Sequence, residues 1–281
     1  MTWEHLLGKT GYMKRKGALL AAYHLSDNEI LMVDSGTVSD PEMLEDLDRR
    51  GLRVRAVLCT HLHIDHIANN QALIERHGAE IFAHPAEIAW AEKFYHGLGY
   101  PISPLKVDEM CGKMGKMTID GAEIGLIPTY GHSAGHMAYV TPDGVCCIGD
   151  AMMGKKLLEM AKMPYMEDVD QAIESMERLR ETDFPYYIAA HQSVINRTEL
   201  DEAVDANIRK ELELYDLIRG QIREEMPVKE AVQLCLQAAG IRHLREEAAH
   251  YVAYTAKQRV LALVRAGEFA LEKGMIRPVG R

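Results

Sequence analysis

Cys59-Thr60-His61-Leu62-His63-Ile64-Asp65-His66 crowds three histidines and an aspartate into six consecutive positions. Imidazole nitrogens and carboxylate oxygens converge on a cation at about 2.0–2.2 Å, and a tight loop leaving a rigid strand can bring several of them to one point. The residues leading into it, VRAVLC (54–59), form an apolar run with β-branched members and predict that strand. Round such a turn His61 and His63 point to one centre, and Asp65 and His66 to a neighbouring one. Two centres need more ligands than this stretch holds. Further His or Asp residues are therefore expected at later strand ends.

They are present. Gly131-His132-Ser133-Ala134-Gly135-His136 follows one apolar strand, Ile148-Gly149-Asp150 ends another, and Ala189-Ala190-His191 ends a third. This order of motifs, over residues 17–195, resembles the metallo-β-lactamase superfamily of metallohydrolases. The resemblance implies an α+β chain folded as an αββα sandwich, with the site at one edge between two sheets. It implies that His61, His63 and His132 hold one metal, that Asp65, His66 and His191 hold another, and that Asp150 bridges them. Asp34, in Val33-Asp34-Ser35-Gly36, would orient the site from behind, and His136 is expected to be structural. Two divalent cations, zinc in the first place although iron and manganese accept the same ligands, would activate a bridging water as the nucleophile. Asp65 would shuttle its proton. Ser133 and Cys59 adjoin the motifs without being needed as nucleophiles.

Outward from the cluster, residues 18–25 and 30–34 are apolar runs about the turn-forming Ser26-Asp27-Asn28-Glu29, which predicts a hairpin. Pro41 opens a helix that Gly51 ends. The alternation continues with helices at 69–77, near 86–95 and near 167–181, and strands at 79–84, 117–127, 137–149 and 186–190. That mixture predicts layered sheets with helices outside. From 199 to 266 apolar residues recur at helical spacing, and EFALEKGMIRPVG closes as a hairpin turning at Lys273-Gly274. The expected division is a catalytic domain over 1–198 and a helical, winged-helix-like module over 199–281.

Hydrophobic residues make up 47% and charged residues 26% of the chain, and no apolar run nears the roughly 20 residues that span a bilayer. The N-terminus lacks the pattern of a secretory signal, so a cytoplasmic protein without membrane contact is expected. The five cysteines form an odd set without a pairing framework and read as buried thiols. The net charge of −10 argues against a general nucleic-acid coat.

For the reaction, the leading expectation is hydrolysis of an ester, lactone or thioester of a small molecule. A glutathione thioesterase would need a basic segment in the helical tail, and none is recognisable. A second reading, cleavage of single-stranded nucleic acid, rests on the winged-helix-like tail and on six cations against two glutamates in residues 256–281. A single-iron persulfide dioxygenase is a third, which metal content would separate. The methionine-rich stretch 151–166 reads first as core packing, and otherwise as a pocket wall with Tyr165 as an oxyanion donor. The tail's apolar helical faces need a cover, either the catalytic domain or a second subunit in a homodimer.

Overall fold

A computed structural model describes residues 3–106, 114–191, 193–242 and 246–279. Cys111 and Arg281 lie outside the described residues. The first sheet has seven strands in chain order: β1 (Trp3–Leu7), β2 (Thr10–Arg15), β3 (Ala18–His24), β4 (Glu29–Val33), β5 (Arg53–Leu58), β6 (Glu80–Ala83) and β7 (Ser103–Pro104). The second has six: β8 (Gly115–Ile119), β9 (Ala122–Pro128), β10 (Met137–Val140), β11 (Val145–Gly149), β12 (Tyr186–Ala189) and β13 (Ser193–Asn196). Helices α1 (Pro41–Arg49), α2 (Ile64–Ile67), α3 (Asn70–His77) and α4 (Pro85–Tyr95) belong to the first half, and α5 (Lys155–Met160) and α6 (Val169–Arg180) to the second.

The layering follows from the two-residue period of a strand. In β4, Ile30 and Met32 point to a core shared with Met43, Leu44 and Leu47 of α1, Leu73 of α3 and Ala91 of α4. Leu31 and Val33 point the other way, to Leu126, Tyr139, Val145 and Cys147 of the second sheet. The second sheet turns its far face, through Ile127, Cys146 and Ile148, to Val169, Ala172 and Met176 of α6. Helix, sheet, sheet and helix are thus stacked as the αββα sandwich. Local chemistry sets the helix starts: Asp40 caps α1 by accepting from Met43 N, ahead of Pro41, and Asp168 caps α6 by accepting from Asp170 N and Gln171 N.

Most neighbours within the sheets are antiparallel, but β4 to β7 run parallel to one another and β11 runs parallel to β12. Their carboxyl ends reach the same edge of the sandwich. There the sheets are tied by Met137 N donating to Thr60 O (2.8 Å), Leu19 N to Ala190 O (2.7 Å) and the Tyr139 hydroxyl to Cys59 O (2.8 Å).

Beyond β13 come α7 (Arg197–Gln221), α8 (Val228–Ala238) and α9 (Glu246–Arg265), with a three-stranded sheet of β14 (Met226–Pro227), β15 (Phe269–Glu272) and β16 (Met275–Pro278). Leu200, Val204, Ile218, Val260 and Leu263 of this module share one apolar cluster with Val169 and Met176 of α6. Part of the module's apolar surface is thereby covered by the same chain. Inside the junction lies Arg259 of α9, fully buried, paired with both carboxylate oxygens of Glu211 of α7 at 2.7 and 2.8 Å. Its remaining N–H groups donate to Thr255 O and Oγ1 and to Pro164 O. Removing one partner of a buried pair leaves the other charge uncompensated. Arg259→Met should therefore cost about 3–5 kcal/mol in urea-induced unfolding, and adding Glu211→Leu should recover much of the loss. Two equally destabilised variants would show that the pair is not the anchor of this junction.

Candidate metal centre

The CTHLHIDH stretch leaves the end of β5 and turns directly into α2. The loop before β10 brings in His132, and the ends of β11 and β12 bring in Asp150 and His191. All seven residues singled out from the sequence meet at one place. Three groups of donor atoms, each lying within 4.8 Å of one another, are able to hold an ion: His61, His63 and His132; His61, His66 and Asp150; and Asp65, His66 and His191. Asp150 Oδ2 stands between them, 3.5 Å from His66 Nε2, 3.8 Å from His132 Nε2 and 3.2 Å from His191 Nε2. Asp65 Oδ2 is 3.5 Å from His191 Nε2, and its side chain is 44% exposed, so this acid faces solvent.

The surrounding residues fix which nitrogen points inward. Asp34 Oδ1 accepts from Thr60 N (2.8 Å), and Oδ2 accepts from Thr60 Oγ1 and from His66 Nδ1 (both 2.9 Å). Thr60 has spent its hydroxyl proton on Asp34, so its oxygen accepts from His61 Nδ1 at 3.0 Å. His132 Nδ1 donates to Tyr165 O at 3.1 Å. These bonds leave the Nε2 atoms of His61, His66 and His132 directed into the centre. The Nε2 atoms of His61, His63 and His66 are buried without any hydrogen-bond partner. His63 turns its Nδ1 to the same point, 3.1 Å from His132 Nε2, and nitrogens gathered in this way around a shared carboxylate fit a cation.

The electrostatics divide the cluster in two. Burial, reinforced by the neighbouring imidazoles, holds His61 far below its ordinary range and brings His63 down to about 3. These rings are neutral, the form that binds metal. Burial also acts to lower His66, but Asp150 and Asp34 outweigh it and hold the ring well above its usual range. Hydrogen bonds to Asp150 and Asp65 lift His191 to about 10. Burial works to raise Asp65, yet the bond to His191 brings it down to about 2.

His136 is structural, as the sequence reading expects. Its Nδ1 meets Thr129 Oγ1 at 2.8 Å, and its Nε2 accepts the backbone N–H of Asp150 at 3.1 Å. Gly149, at φ +52°, cannot carry a side chain there: a Cβ would lie 2.6 Å from Thr60 Oγ1 and 2.8 Å from His136 Nε2. Gly131, at φ +121°, lets the His132 loop press on α6, where a Cβ would come within 2.2 Å of Ala172 N. Cys59, Cys146, Cys147 and Cys235 are all buried, and burial raises each thiol.

Of the methionine-rich stretch, Met152 and Met166 pack into the core, whereas Tyr165 lies against the rings of His63 and His132. Its hydroxyl donates to Glu167 Oε1 at 3.3 Å, so its ring and carbonyl serve the site. Tyr187 bonds Thr182 and Phe184 N instead. Two participants on α4 escaped the sequence reading, Trp90, whose ring lies 5.2 Å from that of His63, and Glu87. Glu87 of α4, only 1% exposed and raised by burial, accepts from Leu62 N (3.0 Å) and Gly135 N (2.8 Å), clamping the two histidine loops together. The available signal was an acid four residues before Ala91, on the buried face of α4.

Residues 20–191 match the family model of the metallo-beta-lactamase superfamily. The chain belongs to that superfamily. Among superfamily relatives, the chain is 35% identical over 126 residues to a hydroxyacylglutathione hydrolase of Methylobacillus flagellatus, covering 44% of this chain and 43% of that one. A hydroxyacylglutathione hydrolase of Crocosphaera subtropica is 28% identical over 221 residues, covering 73% and 80%. The chain thus spans less than half of the first relative's length and most of the second's. Two solved superfamily folds superpose across nearly the whole chain. A metallo-beta-lactamase family protein from Thermus thermophilus gives a TM-score of 0.71 at 17% identity, covering 93% of this chain and 94% of its own. A beta-lactamase domain protein from Burkholderia ambifaria gives 0.67 at 18%, covering 99% and 93%. No helix among the described residues is long and apolar enough to cross a membrane.

Asp34→Asn keeps the shape of the clamp and removes its charge. It should weaken retention of a divalent metal by about 10–100-fold in a chelator competition, with the fold intact by circular dichroism. Unchanged retention would refute the orienting role of Asp34.

Proposed function

We propose that the chain is a binuclear zinc hydrolase that cleaves thioesters of small molecules. The observation that carries the binuclear reading is the position of Asp150 Oδ2 between His132 on one side and His66 and His191 on the other. His61, His63 and His132 would hold one cation, Asp65, His66 and His191 the other, with Asp150 bridging. When bound, such a pair of cations acidifies water to supply the nucleophile and polarises the scissile carbonyl. The chain's own part is to place and to relay. Asp34, Thr60 and Tyr165 O fix the imidazoles, and Glu87 holds the loops. Asp65, ionised and open to solvent, accepts the proton of the attacking water and releases it toward the leaving sulfur.

The thioester class draws on the hydroxyacylglutathione hydrolases among the relatives. Three of the six cations of the basic tail are already paired within the chain, which weakens the nucleic-acid reading. Arg259 is buried against Glu211, Arg265 pairs with Asp168 and Asp170, and Arg277 faces Glu272. We assign residues 1–198 to catalysis and 199–281 to a module that closes one side of the site.

Elemental analysis should find close to two zinc ions per chain, and a panel of thioester, aliphatic lactone, aryl ester and bis(p-nitrophenyl) phosphate should show thioester cleavage as the fastest reaction. Dipicolinate should abolish it and zinc restore it. One iron per chain without hydrolysis, or phosphodiester cleavage alone, would overturn the proposal.

A further inference from the structure

Around the His63 side of the centre stands a collar of aromatic rings contributed by both parts of the chain. Trp90 of α4 meets His63 edge-on at 5.2 Å between centroids, and Phe94 and Tyr95 of the same helix lie 4.9 and 5.1 Å from Trp90. On the other side Tyr165 lies 5.1 Å from His63 and 5.4 Å from His132. Helix α9 extends the wall: Tyr254 stacks on Tyr165 at 6.2 Å and 18°, and Tyr251 stands 6.5 Å from Tyr165. Trp90 and Tyr165 both lie against His63, which links the two arcs. Ile64, Phe94 and Tyr251 are 68%, 52% and 49% exposed. Large apolar side chains left in water beside a reaction centre mark a surface that something apolar covers.

The polar handle of the central ring is already engaged: the Tyr165 hydroxyl donates to Glu167 Oε1 at 3.3 Å. What that ring has left to meet a ligand is face and edge. The charged group at the inner rings outside the metal ligands is the carboxylate of Glu167, which has the wrong sign for an anionic thiol carrier such as glutathione. Lys93 stands at the Phe94 end of the collar, its Nζ 5.3 Å from that ring.

We propose that this collar selects an uncharged aryl group next to the scissile bond, making the substrate an aryl-bearing thioester of a neutral or weakly charged carrier. The inference rests on the hydrolase reading above. A ring entering the collar would pack on Trp90 and Tyr254, and aromatic pairs prefer offset-stacked or edge-to-face contact. Trp90, Tyr251 and Tyr254 are then specificity-determining residues. Since α9 supplies two of them, the C-terminal module helps choose the substrate.

Trp90 reports on its own site. The chain has two tryptophans, so Trp3→Phe leaves Trp90 as the sole indole in the zinc-loaded full-length protein. Phenylacetamide should quench its fluorescence saturably and more tightly than phenyltrimethylammonium or reduced glutathione. Tyr254→Ala should weaken phenylacetamide roughly fivefold, and Tyr254→Phe should restore it. In turnover, the phenylacetyl thioester of N-acetylcysteamine should show a KM roughly tenfold below that of the acetyl thioester. Tighter binding of the cation or of glutathione, or no response to phenylacetamide, would overturn the collar's role. Quenching by phenylacetamide without cleavage of any thioester would uphold the collar and sink the thioesterase reading. Cleavage of both thioesters without quenching or ring preference would do the reverse.

Discussion

Three imidazole nitrogens buried with nothing to bond, the Nε2 atoms of His61, His63 and His66, set the terms for everything around them. A buried nitrogen without a partner costs free energy, and the neutral rings of His61 and His63, 4.4 Å apart between centroids, cannot relieve one another. The fold keeps them in place by bonding the outward nitrogen of three neighbouring rings to something rigid. His61 is fixed through Thr60, His66 through Asp34 and His132 through the Tyr165 carbonyl. Asp34 itself sits in the left-handed region at φ +58°, a conformation that an aspartate adopts at some cost. Strain and desolvation concentrated at one point are the signature of a site selected for chemistry at the expense of stability.

Why the site lies at this edge follows from strand direction. Parallel pairs β4–β5 and β11–β12 send four carboxyl ends the same way, and each end carries a side chain the centre uses: Asp34, the His61 cluster, Asp150 and His191. Antiparallel neighbours would have sent alternate ends to the far side. The sheets then need fastening to each other where the residues meet. The Met137–Thr60 and Tyr139–Cys59 hydrogen bonds do this within a few residues of the histidines. Glu87 adds a third tie from outside the sheets, joining the Leu62 and Gly135 backbones.

The motif-bearing residues were legible because each sits at the end of an apolar run, where a strand must stop and its last side chains are free to converge. The two-sheet layering was legible too, from the alternation in segments such as Ile30–Val33. Strands β1 and β2 were not, since Trp3–Arg15 mixes charges with apolar residues and becomes a pair of strands by hydrogen-bonding along β3. Strand β13 is four residues long and forms only against β12. Glu87 and Trp90 read as an ordinary helix surface because the groups they serve lie on loops distant in sequence. Arg259 misled most: counted with the basic tail, it is fully buried against a glutamate 48 positions earlier. A charge count records sign and number, but burial decides whether a charge meets a partner outside the protein or one within it.

Tyr165 joins these separate arrangements. Its carbonyl accepts from His132, its ring lies on His63 and His132, and its hydroxyl bonds Glu167. On either side of it, Pro164 O accepts from Arg259, while Met166 N donates to Thr255 Oγ1, which donates in turn to backbone carbonyls there. The segment is therefore gripped by α9 at both flanks while its middle residue orients an imidazole of the centre. A rigid grip of this kind transmits displacement, because a packed interior has few voids in which a shift of α9 could be absorbed before it reaches His132. The helical module cannot be regarded as an appendage that merely covers the pocket. Through one peptide segment it helps to set the geometry of the centre, and through Tyr251 and Tyr254 it shapes the wall that faces it.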